Sequence, residues 1–309
     1  MAVIMGAGQG SQKAGMGHDF AAQGAALNKI VGHDLFGLMQ AGGPELDNTA
    51  NAQPAIVALC TWQAEKLLPN LASRGEKVDL VLGHSLGEYT ALYLAGVLSF
   101  ADAVKAVQYR GKIMMEAGQI NPGTMFAITK LSSAKVQQAC QEVSTSDSLV
   151  VAANFNLPTQ TVISGHHAAC QKAIAWLEAN AGERFRATEL KVSGAFHSPL
   201  MQPAAEKLAI FLDQLSFAPN QIAYIANVDG KIYPPQTDPN LIKQNLVRQV
   251  TSSVQWVKSL GQINPGQTCF ELGPGNVLTN MARKAEPPLT VWPYEQQDTW
   301  PQEWQIHQN

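Results

Sequence analysis

A serine stands between two glycines at Gly83-His84-Ser85-Leu86-Gly87, where an apolar run ends and a helical pattern begins. Val78 to Leu82 is rich in Val and Leu and reads as a buried strand. From Leu86 the apolar residues recur at Tyr89, Leu92 and Ala95, as along one side of a helix. Glycines flanking a serine in this way let the backbone turn sharply and raise the hydroxyl above the sheet, at the positive end of the next helix. The plainer alternative is a serine that caps an ordinary helix. The strand–turn–helix setting favours a nucleophile.

A serine hydroxyl needs a base within hydrogen-bond reach, and seven histidines are available. His18, His33 and His307 have no supporting context, and His166 and His167 fall at surface positions where a helix starts. His84 adjoins Ser85 and should leave the elbow in another direction. His197, in Ser193-Gly194-Ala195-Phe196-His197-Ser198-Pro199, closes a strand among small residues before a proline. Catalytic loops sit on rims of that kind. A further charged group draws notice on the segment after Ser99–Asp102, which reads as a capped helix start. Ala103, Val107 and Met114 share an apolar helical face, and Arg110 lies on the same face. A guanidinium there either snorkels to solvent or is held for a buried anion; the residues alone favour snorkelling.

The elements around these groups read as α/β. Ala2 to Met5 is a short buried strand that leads into the glycine-rich stretch from Gly6 to Gly17. Gly6, Gly8 and Gly10 run G-x-G-x-G, but no acidic residue ends a second strand ~20 residues on, so a dinucleotide site is disfavoured. Beside a nucleophile elbow, such a loop can instead face a reacting carbonyl with its backbone N–H groups. Pro54 opens a strong helical stretch to Leu68, proline being tolerated in a first turn. Strands at 123–131, 148–156 and 159–165, a further strand within 184–198, and helices at 132–143 and 166–182 give the order β–α–β–β–α–β. That is the order of a ferredoxin-like unit. With boundaries near Gly123 and Lys191, it predicts a subdomain of residues 124–190 inserted into a catalytic domain of 1–123 and 191–309. Alternation of strand and helix resumes afterwards, and the polar stretch 295–309 reads as a loosely attached tail.

The chain has 309 residues, 46% hydrophobic and 15% charged, enough for a large core with an inserted unit. A net charge of −3 gives no electrostatic case for nucleic acid. Cys60, Cys140, Cys170 and Cys269 are far apart and read as free thiols. The first residues lack the pattern of a signal peptide, and no run approaches the ~20 apolar residues of a membrane span. A soluble, cytoplasmic chain without membrane contact is expected.

The motifs together resemble the malonyl-CoA:acyl-carrier-protein transacylases and the related acyltransferases of polyketide synthases. The matches run in order along nearly the whole chain. They are GQGSQ at 8–12, QPA at 53–55, GHSLGEYTAL at 83–92, RGK at 110–112 and NFNLPTQTVISG at 154–165. FHSPLM at 196–201, RQV to VQW at 248–256 and ELGPGNVL at 271–278 complete the set. The resemblance implies an α/β-hydrolase-like domain with an inserted ferredoxin-like subdomain. It implies Ser85 as nucleophile, His197 as general base, and the backbone N–H groups of Gln9 and Leu86 as the oxyanion hole. The main-chain carbonyl of Gln249 would orient His197, and Arg110 would clamp the free carboxylate of malonate, against the snorkelling reading. His84, Asn156 and Phe196 would line the substrate pocket, with Phe196 disfavouring an α-methyl branch.

The implied reaction is ping-pong: malonyl-CoA acylates Ser85, CoA leaves, and the phosphopantetheine thiol of an acyl-carrier protein collects the malonyl group. No metal or tightly bound cofactor is implied, and a monomer is the working expectation. Gly6-Ala7 stand where this family usually has Phe-Pro, and Met115 where glutamine is common. Phe196-His197 resembles the signature of malonyl-selective polyketide acyltransferases. Two alternatives remain: an acyl hydrolase of the same fold that edits carrier proteins, a kind that tends to lack the clamp arginine, and an inactive scaffold that only docks carrier protein.

Overall fold

Every residue of the apolar run Ala2–Gly6 is buried, and this first strand becomes the centre of the larger of two sheets. A computed structural model describes residues 1–305; the last four positions, His307 among them, lie outside the described residues. The chain runs β1 (Ala2–Gly6), α1 (Ala21–Val31), α2 (Leu35–Ala41), α3 (Pro44–Asp47), α4 (Thr49–Ser73), β2 (Val78–Gly83), α5 (Gly87–Leu94) and α6 (Phe100–Ile120). There follow β3 (Thr124–Thr129), α7 (Ser133–Val143), β4 (Val150–Leu157), β5 (Gln160–Gly165), α8 (His167–Asn180) and β6 (Arg186–Glu189). It continues with α9 (Gln202–Leu212), β7 (Ala223–Ile225), β8 (Ile232–Tyr233), α10 (Pro239–Thr251), α11 (Trp256–Leu260), β9 (Thr268–Leu272), α12 (Val277–Ala282) and β10 (Val291–Pro293).

The larger sheet has the order β10-β9-β1-β2-β7-β8 and is parallel except at β7–β8. Side chains of β1 alternate between two cores: Ala2 and Ile4 join one cluster, Val3 and Met5 the other. A strand buried on both faces reads as a continuous apolar run, as β1 does. The register Gly6↔Gly83 brings the ends of β1 and β2 side by side, so the loops that follow them share one rim. The second sheet, β4-β5-β3-β6, is antiparallel. Its apolar face packs on α7 and α8 through Ile128, Ile163, Val136 and Leu177. The architecture is thus an α/β-hydrolase-like parallel sheet carrying a ferredoxin-like unit. Strand β4 ties the two together, since Phe155 N–H donates to Val254 O at 2.9 Å and Val254 N–H to Ala153 O at 2.8 Å.

Two expectations are corrected. Helix α4 does not start at Pro54. Asn48 caps it, its side chain accepting the Ala50 N–H at 3.0 Å, and Pro54 falls in the second turn. Asn48 is the stronger start signal, and the packing of a helix buried on most sides offsets the loss of the hydrogen bond that a proline removes. Nor is the tail loose as far as Trp304. Trp300 is 2% exposed, its indole N–H donates to Pro293 O at 3.0 Å, and its ring and that of Trp304 both pack on Phe270 of β9. Two tryptophans anchor a stretch whose other residues are mostly polar. The four cysteines are free, as expected, and all four are buried. Among the described residues no helix is long and apolar enough to cross a membrane.

Candidate active site

The turn from β2 into α5 is built on close backbone approach. A Cβ on Gly83 would lie 2.0 Å from Gly87 O, and one on Gly87 would lie 2.0 Å from Gly6 O. Only glycines let α5 sit this tightly on the strand ends. Between them Ser85 adopts φ 50°, in the left-handed region that an L-residue occupies at a cost of about 1–3 kcal/mol. The glycine loop after β1 presses on the same turn: His84 N–H donates to Gly6 O at 3.1 Å, and a Cβ on Gly8 would meet His84 O at 2.8 Å. Among the described residues, the main-chain N–H groups of Gln9 and Leu86 donate to no protein acceptor.

Ser85 Oγ lies 2.7 Å from His197 Nε2. His197 is itself at φ 58°, a second strained backbone position in the same site. Its Nδ1–H donates to the main-chain carbonyl of Gln249 at 2.9 Å, which leaves Nε2 as the acceptor facing the hydroxyl. Burial pushes the imidazole down to about 3, helped by the charge of Arg110 and opposed by the hydrogen bond to Gln249. His197 is therefore neutral near pH 7 and able to take a proton.

Arg110 is 1% exposed, which overturns the snorkelling that the residues alone favour and agrees with the buried position that the resemblance implies. The face it shares with Val107 and Met114 packs inward, and Gly111 lets α6 approach α4 closely: a Cβ there would lie 2.5 Å from Thr49 O. Its Nη1 donates to Gln53 Oε1 at 2.9 Å; its Nη2 donates to Gln249 Oε1 at 3.0 Å and Ser85 Oγ at 3.1 Å. Nε is buried without a partner. Among the described residues no carboxylate forms an ion pair with it. Burial lowers its pKa while Tyr89 and Glu88 oppose the shift, yet a guanidinium remains charged in proteins.

The remaining expected residues adjoin this centre. His84 Nε2 and Asn156 Oδ1 are 2.8 Å apart, and the His84 ring meets Trp256 edge-on. Burial lowers the His84 pKa. Asn156 therefore joins β4 to the elbow, and Phe196, next to His197, is buried in the main core. Four groups were missed in the sequence: Gln53, Glu88, Asn227 and the side chain of Gln249. Gln53 lies within QPA, and Glu88 follows the elbow in the first turn of α5, where an acid suits a helix N-terminus. Asn227 carries no local signal at all.

A strained serine on a parallel sheet, bonded to a neutral histidine beside a buried guanidinium that no carboxylate pairs, defines a site for serine-based acyl transfer. The comparisons with known proteins agree. The chain belongs to the acyl transferase domain family, whose profile matches residues 5–285. It is 40% identical over 296 residues to the malonyl CoA-acyl carrier protein transacylase of Salmonella typhimurium, covering 92% of each chain. Among solved structures it is similar to a malonyl transacylase (MCAT) from Streptococcus pneumoniae, with a TM-score of 0.85, 34% identity and 95% of each chain covered. It is also similar to a complex of a type II PKS acyl-carrier protein with its malonyl-transacylase, with a TM-score of 0.84, 36% identity and 94% of each chain covered.

Proposed function

We propose that the protein transfers a malonyl group from malonyl-CoA to the phosphopantetheine thiol of an acyl-carrier protein through an ester on Ser85. In the first half-reaction His197 Nε2 takes the hydroxyl proton as Ser85 Oγ attacks the thioester carbonyl. The oxyanion is met by the N–H groups of Gln9 and Leu86, each such donor contributing about 3 kcal/mol. The C–S bond breaks and the CoA thiolate leaves with the proton from His197. In the second half the carrier thiol gives its proton to His197, its sulfur attacks the ester, and Ser85 Oγ recovers a proton. The Gln249 carbonyl stabilises the imidazolium formed in each half, in the place a carboxylate takes in a triad. Asn156 and His84 border the acyl pocket, and the Phe196 ring limits room over the malonyl Cα.

Arg110 carries this reading. A guanidinium held beside the nucleophile by neutral oxygens and the Tyr89 ring, with no carboxylate hydrogen-bonded to it, is matched to an anionic acyl group, because a buried charge without an ion-pair partner is costly on either side. The relatives named as malonyl transacylases support it, and they do not favour the acyl hydrolase alternative. The reaction as written needs no metal or tightly bound cofactor. We read the chain as a cytoplasmic enzyme whose inserted unit spans residues 124–190.

The test is kcat/KM for malonyl-CoA and acetyl-CoA in the wild type, Arg110→Ala and Arg110→Lys. Removing one partner of a buried charge pair costs ~2–5 kcal/mol, so Arg110→Ala should lose malonyl transfer by roughly 30- to several-thousand-fold. Acetyl transfer should hold or improve, and Arg110→Lys should recover only part of the malonyl activity. A parallel fall of both substrates would make Arg110 structural and remove the basis for malonyl.

A further inference from the structure

Two buried side chains behind Ser85 touch neither the hydroxyl nor the imidazole, yet they converge on the groups that hold both. The Asn227 amide oxygen accepts the Ser85 N–H at 2.6 Å, and its Nδ2 donates to Gly83 O at 2.7 Å. One side chain thus spans the elbow from its first glycine, past His84, to the N–H of the residue in the left-handed conformation. Such a conformation persists only when its surroundings over-determine it. The main-chain N–H of Asn227 then donates to Glu88 Oε2 at 3.0 Å.

Glu88 is 1% exposed, and the same oxygen accepts Gln249 Nε2 at 2.7 Å. That Nε2 also donates to Ser85 O at 3.0 Å, while Gln249 Oε1 receives Arg110 and its main-chain carbonyl receives His197. A single carboxylate oxygen therefore joins the residue that shapes the nucleophile's backbone to the residue that orients the base. Both of its partners are N–H donors, so what they require is an acceptor at that point. An apolar side chain would leave two buried N–H groups without one.

We propose that Glu88 and Asn227 are positioning residues for acyl transfer: Asn227 fixes the left-handed backbone of Ser85, and Glu88 Oε2 locks Asn227 and Gln249 together so that hydroxyl and imidazole meet. The inference rests on the Ser85 acyl-enzyme reading above. It differs from a merely structural role in what it does to rate. A displaced nucleophile reacts slowly in every molecule, whereas a destabilised fold leaves fewer molecules that react at the normal speed.

Single-turnover acylation by labelled malonyl-CoA, stopped at short times, separates the two through rate constant and amplitude. Glu88→Ala and Asn227→Ala should lower the rate constant by about 10- to 100-fold, the scale of a misplacement near 1 Å, with full amplitude. Glu88→Gln, which keeps an acceptor oxygen, should recover most of the rate lost in Glu88→Ala. Should the alanine variants fail to fold, Asn227→Asp serves, since it keeps the acceptor for Ser85 N–H and loses the donor to Gly83 O; it should slow acylation at full amplitude. Reduced amplitude with a wild-type rate constant, or Glu88→Gln as slow as Glu88→Ala, would overturn the proposal. Wild-type enzyme that takes no label would instead refute the acyl-enzyme reading itself.

Discussion

His197 and Arg110 shape each other's chemistry at the level of single groups. Burial, helped by a guanidinium that disfavours a second positive charge nearby, holds the imidazole down to about 3. A base is lost as pH falls through its folded pKa, so a depressed value moves the acid limb of acylation to lower pH. With S-malonyl-pantetheine, which has no phosphate to titrate, kcat/KM should stay level from pH 8 down to about 5. A histidine at its ordinary value near 6.5 would already have lost about thirty-fold there. A limb near 6.5 would show that the imidazole is solvated or that another base acts. Glu88 titrates in the opposite sense: burial raises it to about 7, against its bonds to Asn227 and Gln249. Its neutral form still offers a carbonyl oxygen, so this titration should leave the level region intact.

Helix α5 shows how an element converts backbone contact into site geometry. Gly87→Ala places a methyl 2.0 Å from Gly6 O, and backbone on both sides prevents a local escape. The helix must lift from β1, taking Leu86 N–H and Ser85 with it. Overpacking of this kind costs about 1–3 kcal/mol, and a shift near 1 Å costs about 10²-fold in rate. Thermal unfolding and acylation should therefore both suffer, whereas Gly266→Ala, with open space around its Cβ, should change neither. An active, stable Gly87→Ala would mean the elbow has slack. Elements of this sort were legible because their causes are local: the apolar run of β2, its glycines, and the alternating strands and helices from β3 to β6 all lie in consecutive residues. Pro54 misled because a familiar helix-start residue lies five places beyond the true cap-adjacent start at Thr49. Arg110 allowed two readings because a cation on an apolar face looks the same whether the face ends at solvent or at a site. The Glu88–Asn227–Gln249 chain joins residues up to 161 positions apart, and no local pattern records it.

At the scale of the molecule, the site gathers Ser85 from the end of β2, Arg110 from α6, Gln249 from α10 and His197 from the segment after β6. Their agreement depends on the larger sheet holding still, and the C-terminal stretch clamps that sheet. Glu295 pairs with Lys13 of the glycine loop and accepts the Gly275 N–H at 2.8 Å, while Trp300 seats on Phe270 of β9, the strand beside β1. The magnitudes rank these contacts. The Lys13–Glu295 pair is partly solvated, at 54% and 20% exposure, and such pairs contribute about 0–1 kcal/mol. A buried tryptophan truncated to alanine costs about 3–5 kcal/mol. Trp300→Ala should therefore lower Tm by about 6–20 °C, at about 2–4 °C per kcal/mol for a large domain, and Lys13→Ala should shift it far less. Both should acylate at near wild-type rate well below their transitions, because neither residue touches Ser85, His197 or Arg110. Equal Tm values for the two variants would mean that the indole is not seated on β9 and that the stretch after β10 adds nothing to the sheet.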